Sequence, residues 1–182
     1  MPLLPNYHGK RCQSPTMVCD LPNLRHWVAQ NGLKLREDTV ADGNCGPHSF
    51  GLSLIDCAQR NPSLKTGAAW KEFSRSAKHT PQMIAHLRAT ACRWMAANAD
   101  TTVWDGMSFR NLACAMSYQQ EPYELHIRRC GSDKEWVDAS VIHALACAFR
   151  VDVAIWQDHL EPMIVGFSLL NNGEAKGLLT IA

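Results

Sequence analysis

The order of the periodic segments limits the possible folds of this chain more than any other feature. Apolar side chains recur at helical spacing in four segments: residues 46–60, 81–97, 108–119 and 137–149. Three strand-like runs follow these helices, at residues 151–156, 162–167 and 177–182. Because the helices precede the strands, we expect an α+β fold in which helices flank a small central mixed sheet.

Capping and turn residues predict where several elements begin and end. Thr80 and Pro81 predict a helix start, with the threonine as the cap and the proline at the first helical position. A further short helix is expected at 24–30 and an extended segment at 33–36. The segments without a helical or strand period are interpreted as a loop at 99–106, an irregular stretch at 121–134, an unreadable stretch at 62–79 and a hairpin loop at 157–161.

The composition is that of a folded protein without a strongly charged or membrane-bound partner. Apolar residues make up 46% and charged residues 19%, which is typical of globular chains rather than disordered ones. The net charge of +1 gives no strong field toward nucleic acid, and no apolar run approaches the ~20 residues of a membrane span. Residues 1–20 contain three prolines and no period, so they are predicted to be an arm or linker before a domain at 21–182.

Eight cysteines raise the question of disulfides or a metal site. No two of them have the two-residue gap of zinc and redox motifs, so neither a metal ion nor another cofactor is expected. Cys57, Cys92, Cys114 and Cys147 lie on helical patterns, where a free cysteine acts as a small hydrophobic residue. The N-terminus lacks the features of a signal peptide, which favours reduced thiols and a cytoplasmic location.

A polar loop turns into an apolar helix at Asp42-Gly43-Asn44-Cys45-Gly46-Pro47. A thiol attacks a carbonyl only as the thiolate, and a helix N-terminus favours that negative form. Backbone N–H groups at the same turn can bind the oxyanion of an acyl-transfer intermediate, and the glycines allow close approach of a substrate. This arrangement suits a cysteine protease. The simpler alternative is an ordinary turn followed by a half-buried small residue.

Two blocks of the sequence resemble one family of proteases. Asp42-Gly43-Asn44-Cys45 before an apolar helix resembles the signature of the ovarian tumour (OTU) family of cysteine proteases, most of which are deubiquitinases. Residues 135–149 are similar to a second family block, with a tryptophan and a helix that ends in residues like Ala144-Leu145-Ala146, before the strand at 151–156. The resemblance spans about residues 24–182 and implies an OTU-like α/β-type protease fold.

The resemblance also implies a role for each residue of the loop. Cys45 would be the nucleophile, and the loop backbone, including Gly43 and Asn44, would form the oxyanion hole. The side chain of Asp42 would hold the shape of the loop. The expected partner is ubiquitin or a ubiquitin-like protein, cleaved after its C-terminus. The chain departs from many family members at Gly46-Pro47-His48, where they have a bulky apolar pair and an arginine, and this bears on substrate preference.

A cysteine protease also needs an imidazole close to its thiol. In the OTU family this histidine follows the last central strand, so the base is expected after Ala182 and the domain is expected to be cut short. The alternatives are an inactive relative that lacks the base, or use of another histidine. Among the histidines present, His159 is the strongest candidate because it lies beside Asp158 in a predicted loop between strands. Its simpler interpretation is a solvated residue at a hairpin tip. The histidines expected on solvent or mixed helix faces are His26, His86 and His143.

Three functions remain open from the sequence, with a zinc-binding module, against which the cysteine spacings argue, as a distant fourth. The first is a thiol-dependent, deubiquitinase-like protease. The second is a non-catalytic domain that binds ubiquitin or acts as a scaffold. The third is the protease domain of a viral or mobile-element polyprotein that cleaves its own precursor.

Overall fold

The computed structural model describes residues 30, 42–104, 106–117, 119–155, 163–170 and 174–181. Several sequence predictions lie outside these residues: the arm at 1–20, the helix at 24–30 except for Gln30, the extended segment at 33–36 and the loop at 157–161. Within the described residues the fold is α+β, as predicted.

Helices alternate with short strands along the described chain. The helices are α1 (Cys45–Arg60), α2 (Ala68–Ser76), α3 (Thr80–Ala97), α4 (Phe109–Met116), α5 (Tyr123–Gly131) and α6 (Ala139–Phe149), with short 3₁₀ turns at Pro62–Thr66 and Phe167–Leu169. The strands are β1 (Thr102–Trp104), β2 (Met107–Ser108), β3 (Asp152–Ile155), β4 (Met163–Gly166) and β5 (Leu178–Ile181). No helix among the described residues is long and apolar enough to cross a bilayer.

Helix α3 lies at the centre of the helical layer and packs against α1, α2, α5 and α6. Its predicted apolar stripe is confirmed, because Met83, Leu87, Ala91 and Met95 are all buried. The start of this helix differs slightly from the prediction. Thr80 is its first helical residue and His79 precedes it as the cap position, although Pro81 does lie in the first turn.

Three phenylalanines pack together where α1, α2 and α6 meet. Phe149 at the end of α6 lies 5.8 Å from Phe50 of α1 and 5.6 Å from Phe73 of α2, measured between ring centroids. Phe50 and Phe73 are completely buried, and aromatic pairs at this spacing add to the free energy gained by burial. Phe73 therefore anchors α2, in a stretch where the sequence showed no readable period.

The three C-terminal strands form the predicted mixed sheet, in the order β4-β3-β5. Strand β3 pairs with β4 in the antiparallel and with β5 in the parallel direction. Val153, Val165 and Leu179 lie side by side in register and are buried. Because β3 and β5 are parallel, Ile155 and Ile181 mark the same end of the sheet.

Helix α1 covers the free edge of β5 with side-chain donors spaced one helical turn apart. The three contacts are Ser53 Oγ to Thr180 O at 2.9 Å, Cys57 Sγ to Leu178 O at 4.0 Å, and Asn61 Nδ2 to Lys176 O at 2.5 Å. Four residues of helix span about 6 Å and two residues of strand about 6.6 Å, so the two elements stay in step. The strand runs toward the N-terminus of α1, where Cys45 lies.

Two of the predicted irregular stretches are regular in the structure. The expected loop at 99–106 contains β1, which pairs with β2 in a small antiparallel hairpin. The stretch at 121–134 contains α5, which the sequence hid because charged residues alternate with its buried positions Tyr123, His126 and Cys130. The helix predicted at 137–149 begins at Ala139, because Asp138 caps it by accepting a hydrogen bond from Ser140 N at 2.9 Å.

Candidate active site around Cys45

Residues 42–45, the nucleophile loop, form a tight turn that ends at the start of α1. Gly43 has a φ of +86°, a conformation that side chains rarely adopt. The Asp42 carboxylate accepts a hydrogen bond from Asn44 N at 3.0 Å, which closes the turn. Cys45 is the first helical residue, so its own backbone N–H has no acceptor within the helix. Because Asn44 N–H is engaged by Asp42, the N–H of Cys45 is the better placed donor for an oxyanion.

A second segment, residues 133–137, crosses the nucleophile loop, and we call it the bridging segment. The Asn44 side chain joins the two, since its Nδ2 donates to Asp133 Oδ1 at 2.9 Å and its Oδ1 accepts from Lys134 N at 3.3 Å. A Cβ added to Gly43 would overlap the carbonyl group of Lys134, and one added to Gly46 would lie 2.9 Å from Val137 Cγ2. Gly43 is therefore needed for the close approach of the two segments, and Gly46 for the approach of the start of α1 to the bridging segment.

Arg88 of α3 lies beneath this contact with only 2% of its surface exposed. Its guanidinium donates to Asn44 Oδ1 at 3.0 Å and to Gly43 O at 2.8 Å in the nucleophile loop. It also donates to Glu135 O at 2.6 Å in the bridging segment and to Cys130 O at 2.7 Å at the end of α5. A buried cation with these four acceptors is well satisfied, and it ties three parts of the chain together.

The sequence interpretation missed Arg88 as a site residue. It lies on the apolar stripe of α3, four residues after Ile84 and three before Ala91, where a charged side chain breaks the pattern. A charge on a buried stripe indicates a buried partner, and this was the available signal. The partners themselves could not be read from the sequence, since they lie more than forty positions away.

A buried polar cluster holds the far end of the bridging segment. Arg129 donates to Trp136 O at 2.8 Å and to Glu121 Oε1 at 2.7 Å. His126 lies between Glu121 Oε1 and Ser140 Oγ, with one ring nitrogen 3.1 Å from each. The carboxylate of Glu121 has a lowered pKa, because hydrogen bonds from Arg129 and His126 outweigh the opposing effect of burial. This cluster fixes α5 against the start of α6 and thereby positions the segment between them.

The half-buried Cys45 thiol is not activated in this arrangement. Burial raises its pKa, and the backbone N–H of Gly46 opposes that effect. The negative charge of Asp42 raises the pKa further, while the positive charge of Arg88 lowers it. Since burial dominates, the helix start alone does not produce a thiolate at neutral pH, and an additional base is required for nucleophilic chemistry.

We therefore predict that alkylation of Cys45 by iodoacetamide accelerates with pH up to a midpoint above about 8.5, the ordinary value for a thiol. The thiolate is the reactive form, so a raised pKa moves the whole rate profile to higher pH. Mass spectrometry of the peptide that contains Cys45 measures the rate at each pH. A midpoint below about 7 would mean that an imidazole or another cation already activates the thiol in this chain.

The structure does not bring a described histidine to Cys45. Among the described residues, no hydrogen bond joins a histidine ring to its thiol; His48 follows three residues later and contacts the loop through its backbone N–H, which donates to Asn44 O at 3.0 Å. His126 and His143 are buried at 0% and 1% exposure and lie in the helical core. The prediction of a solvent or mixed face for His143 was therefore wrong, whereas His86 is half-buried. His26 and His159 lie outside the described residues.

Neither a metal site nor a disulfide is found in the part of the chain that the structure describes. No three metal-binding side chains cluster there, and all six described cysteines are free. Cys57 and Cys147 are buried on helices, as predicted. Comparisons with known proteins give no further guide, because no family model, curated protein or solved structure matches this chain.

Proposed function

We propose that this chain carries the nucleophile of an OTU-like cysteine protease that hydrolyses the amide bond after the C-terminus of ubiquitin or a ubiquitin-like protein. The observation that carries the proposal is the position of Cys45. It is the first residue of a 16-residue helix, it follows a glycine with positive φ, and a buried arginine braces its loop. A half-buried thiol beside helix-start N–H groups that have no acceptor within the helix supports a role in acyl transfer.

The chemistry follows from these groups once a base removes the thiol proton. The thiolate of Cys45 attacks the substrate carbonyl carbon, and the oxygen becomes an oxyanion near the N–H of Cys45. The base then returns its proton to the leaving amine, and a thioester remains. Water attacks this thioester with help from the same base, which releases the carboxylate and regenerates the thiol.

The register between α1 and β5 indicates where such a base can enter. Thr180 is level with Ser53, and the eight residues from Ser53 back to Cys45 span about 12 Å of helix. An extended chain covers that length in roughly four residues, so the position about four residues after Thr180 would be level with the thiol. This direction agrees with the family's histidine, which follows the last strand. Ile155, the last described residue before the stretch of sequence that contains His159, lies at the same end of the sheet as Ile181.

A second candidate function, a ubiquitin-binding domain without catalysis, is favoured by the electrostatics of Cys45. Burial raises the pKa of this thiol, and no imidazole contacts it within the described residues. These properties are expected of a binding domain in which the loop has a structural role and its cysteine does not act as a nucleophile.

Hydrolysis of ubiquitin carrying a fluorogenic C-terminal amide separates the two functions. The assay uses the 182-residue chain and the product of the full reading frame, each with its Cys45→Ala variant. We expect hydrolysis that Cys45→Ala abolishes, by a factor of about 10³ or more. His48→Ala and His159→Ala then test whether either histidine is the base. Saturable ubiquitin binding without turnover would establish the second function, and neither binding nor turnover would overturn both.

A further inference from the structure

The guanidinium of Arg88 joins two segments that are far apart in the sequence. In the nucleophile loop it bonds Gly43 O and Asn44 Oδ1, and in the bridging segment it bonds Glu135 O. The loop and the segment also contact each other directly through the Asn44 side chain. The loop therefore has a covalent link to α1 on one side and a hydrogen-bonded support on the other.

Only a planar group with several donors can make this set of bonds. The guanidinium presents five N–H donors in a rigid fork, and here Nε, Nη1 and Nη2 all reach main-chain or amide oxygens. A lysine ammonium carries the same charge at a single point and cannot reach all of these oxygens at once. The charge and the geometry of Arg88 can consequently be separated by one substitution.

We propose that Arg88 is a positioning residue for Cys45, and that its guanidinium makes the nucleophile loop and the bridging segment move as one unit. The inference rests on the role proposed above for Cys45 as the nucleophile. Arg88 acts through the loop and does not contact substrate. Its function is to keep the Cys45 thiol and the adjacent N–H donor at a fixed distance from the carbonyl to be attacked, which matters because small misplacements slow such reactions strongly.

This role predicts opposite effects of Arg88→Lys on two kinds of chemistry. Lysine retains the positive charge, but the loosened loop admits water to the thiol. Since burial is the main cause of the raised pKa of Cys45, the thiol should titrate at lower pH and react faster with a small reagent. Hydrolysis of the ubiquitin amide should instead become slower, because it depends on the position of the thiol.

The test measures three quantities on Arg88→Lys at about pH 8. Alkylation of Cys45 by iodoacetamide should accelerate about 3- to 10-fold, as expected for a pKa that falls by half to one unit. Hydrogen exchange should accelerate together in residues 42–45 and 133–137. The kcat for the fluorogenic ubiquitin amide should fall roughly 10- to 100-fold with KM changed by less than about twofold.

One internal reference and one matched control show whether the variant is folded. Burial raises the pKa of Cys147 to about 12, so this thiol should stay unreactive in any folded variant. Arg93→Lys is the matched control on the same helix. Because the Arg93 side chain is 62% exposed, this substitution should leave all three readouts unchanged. If Arg88→Lys does not fold, Asn44→Ala replaces it. This variant removes one acceptor of Arg88 together with the direct bonds to Asp133 and Lys134, and it should accelerate alkylation about two- to threefold.

Unchanged alkylation and exchange in a folded variant would overturn the positioning role, as would faster exchange in only one of the two segments. A wild-type protein that lacks hydrolysis, while alkylation and exchange respond as expected, would overturn the proposed protease function and leave the support of the loop by Arg88 established.

Discussion

Gly43→Ala should destabilise the protein by on the order of 3 kcal/mol and lower the melting temperature by roughly 6–12 °C. Two costs add at this position. The φ of +86° is unfavourable for any residue with a Cβ, and that Cβ would overlap the carbonyl group of Lys134 in the bridging segment. A carbonyl group of the main chain cannot turn aside as a flexible side chain can, so the two segments would have to separate.

Gly106→Ala provides a matched control for the backbone cost alone. Gly106 has a φ of +77°, but a Cβ at this position would have nothing within 4 Å. We expect a loss of about 1 kcal/mol there, so that the difference between the two variants measures the contact between the loop and the bridging segment. Urea unfolding of both variants gives the comparison. Equal losses at Gly43 and Gly106 would mean that the close approach of Lys134 is absent in solution.

Acid should destabilise the protein through His143, by up to about 3 kcal/mol between pH 6.5 and 4. Burial lowers the pKa of His143 to about 4, although the nearby Asp152 carboxylate partly opposes this shift. Its Nε2 is buried without a hydrogen-bond partner in the described part of the chain. The folded protein therefore keeps this ring neutral, whereas the unfolded chain binds a proton below about pH 6.5. The stabilisation is complete above that pH and is lost as the pH falls toward 4.

His143→Leu should remove this part of the pH dependence. The free energy of unfolding, measured in urea at about pH 7 and about pH 4.5, should fall by roughly 2–3 kcal/mol more in the wild type than in the variant. Acidic groups elsewhere contribute equally to both proteins and cancel in the difference. Parallel losses in the two proteins, or an NMR titration of the His143 ring near pH 6.5, would contradict the burial of this histidine.

The sequence predicted the fold class better than it predicted the individual helices. Helix α6 was expected to bury one face, but residues 140–147 are all buried because the helix packs against α3 and also against the sheet. An amphipathic period predicts a helix with one solvent-exposed face. It could therefore not reveal that α6 is buried between α3 and the sheet, or that His143 is buried. Helix α5 was missed for the opposite reason, since its charged residues mask a narrow buried face.

Within the candidate site, the sequence predicted the contiguous residues but not the contacts between distant ones. Residues 42–45 are contiguous, and turn chemistry together with a helix start was enough to predict that they lie together. Arg88 and the bridging segment join them only through contacts across forty to ninety positions, and one sequence contains no direct record of such contacts. The turn could therefore be predicted, whereas the support beneath it had to be found in the structure.

The proposed role of Cys45 is that of a nucleophile that attacks the carbonyl group at the C-terminus of ubiquitin. Incubation with ubiquitin that carries an electrophile in place of its C-terminal carboxylate, followed by mass spectrometry of the adduct, tests this claim most directly. We predict a single adduct on Cys45 that is absent from Cys45→Ala, while the buried Cys130 and Cys147 stay unmodified. No adduct with the product of the full reading frame, or an adduct that persists in Cys45→Ala, would contradict it.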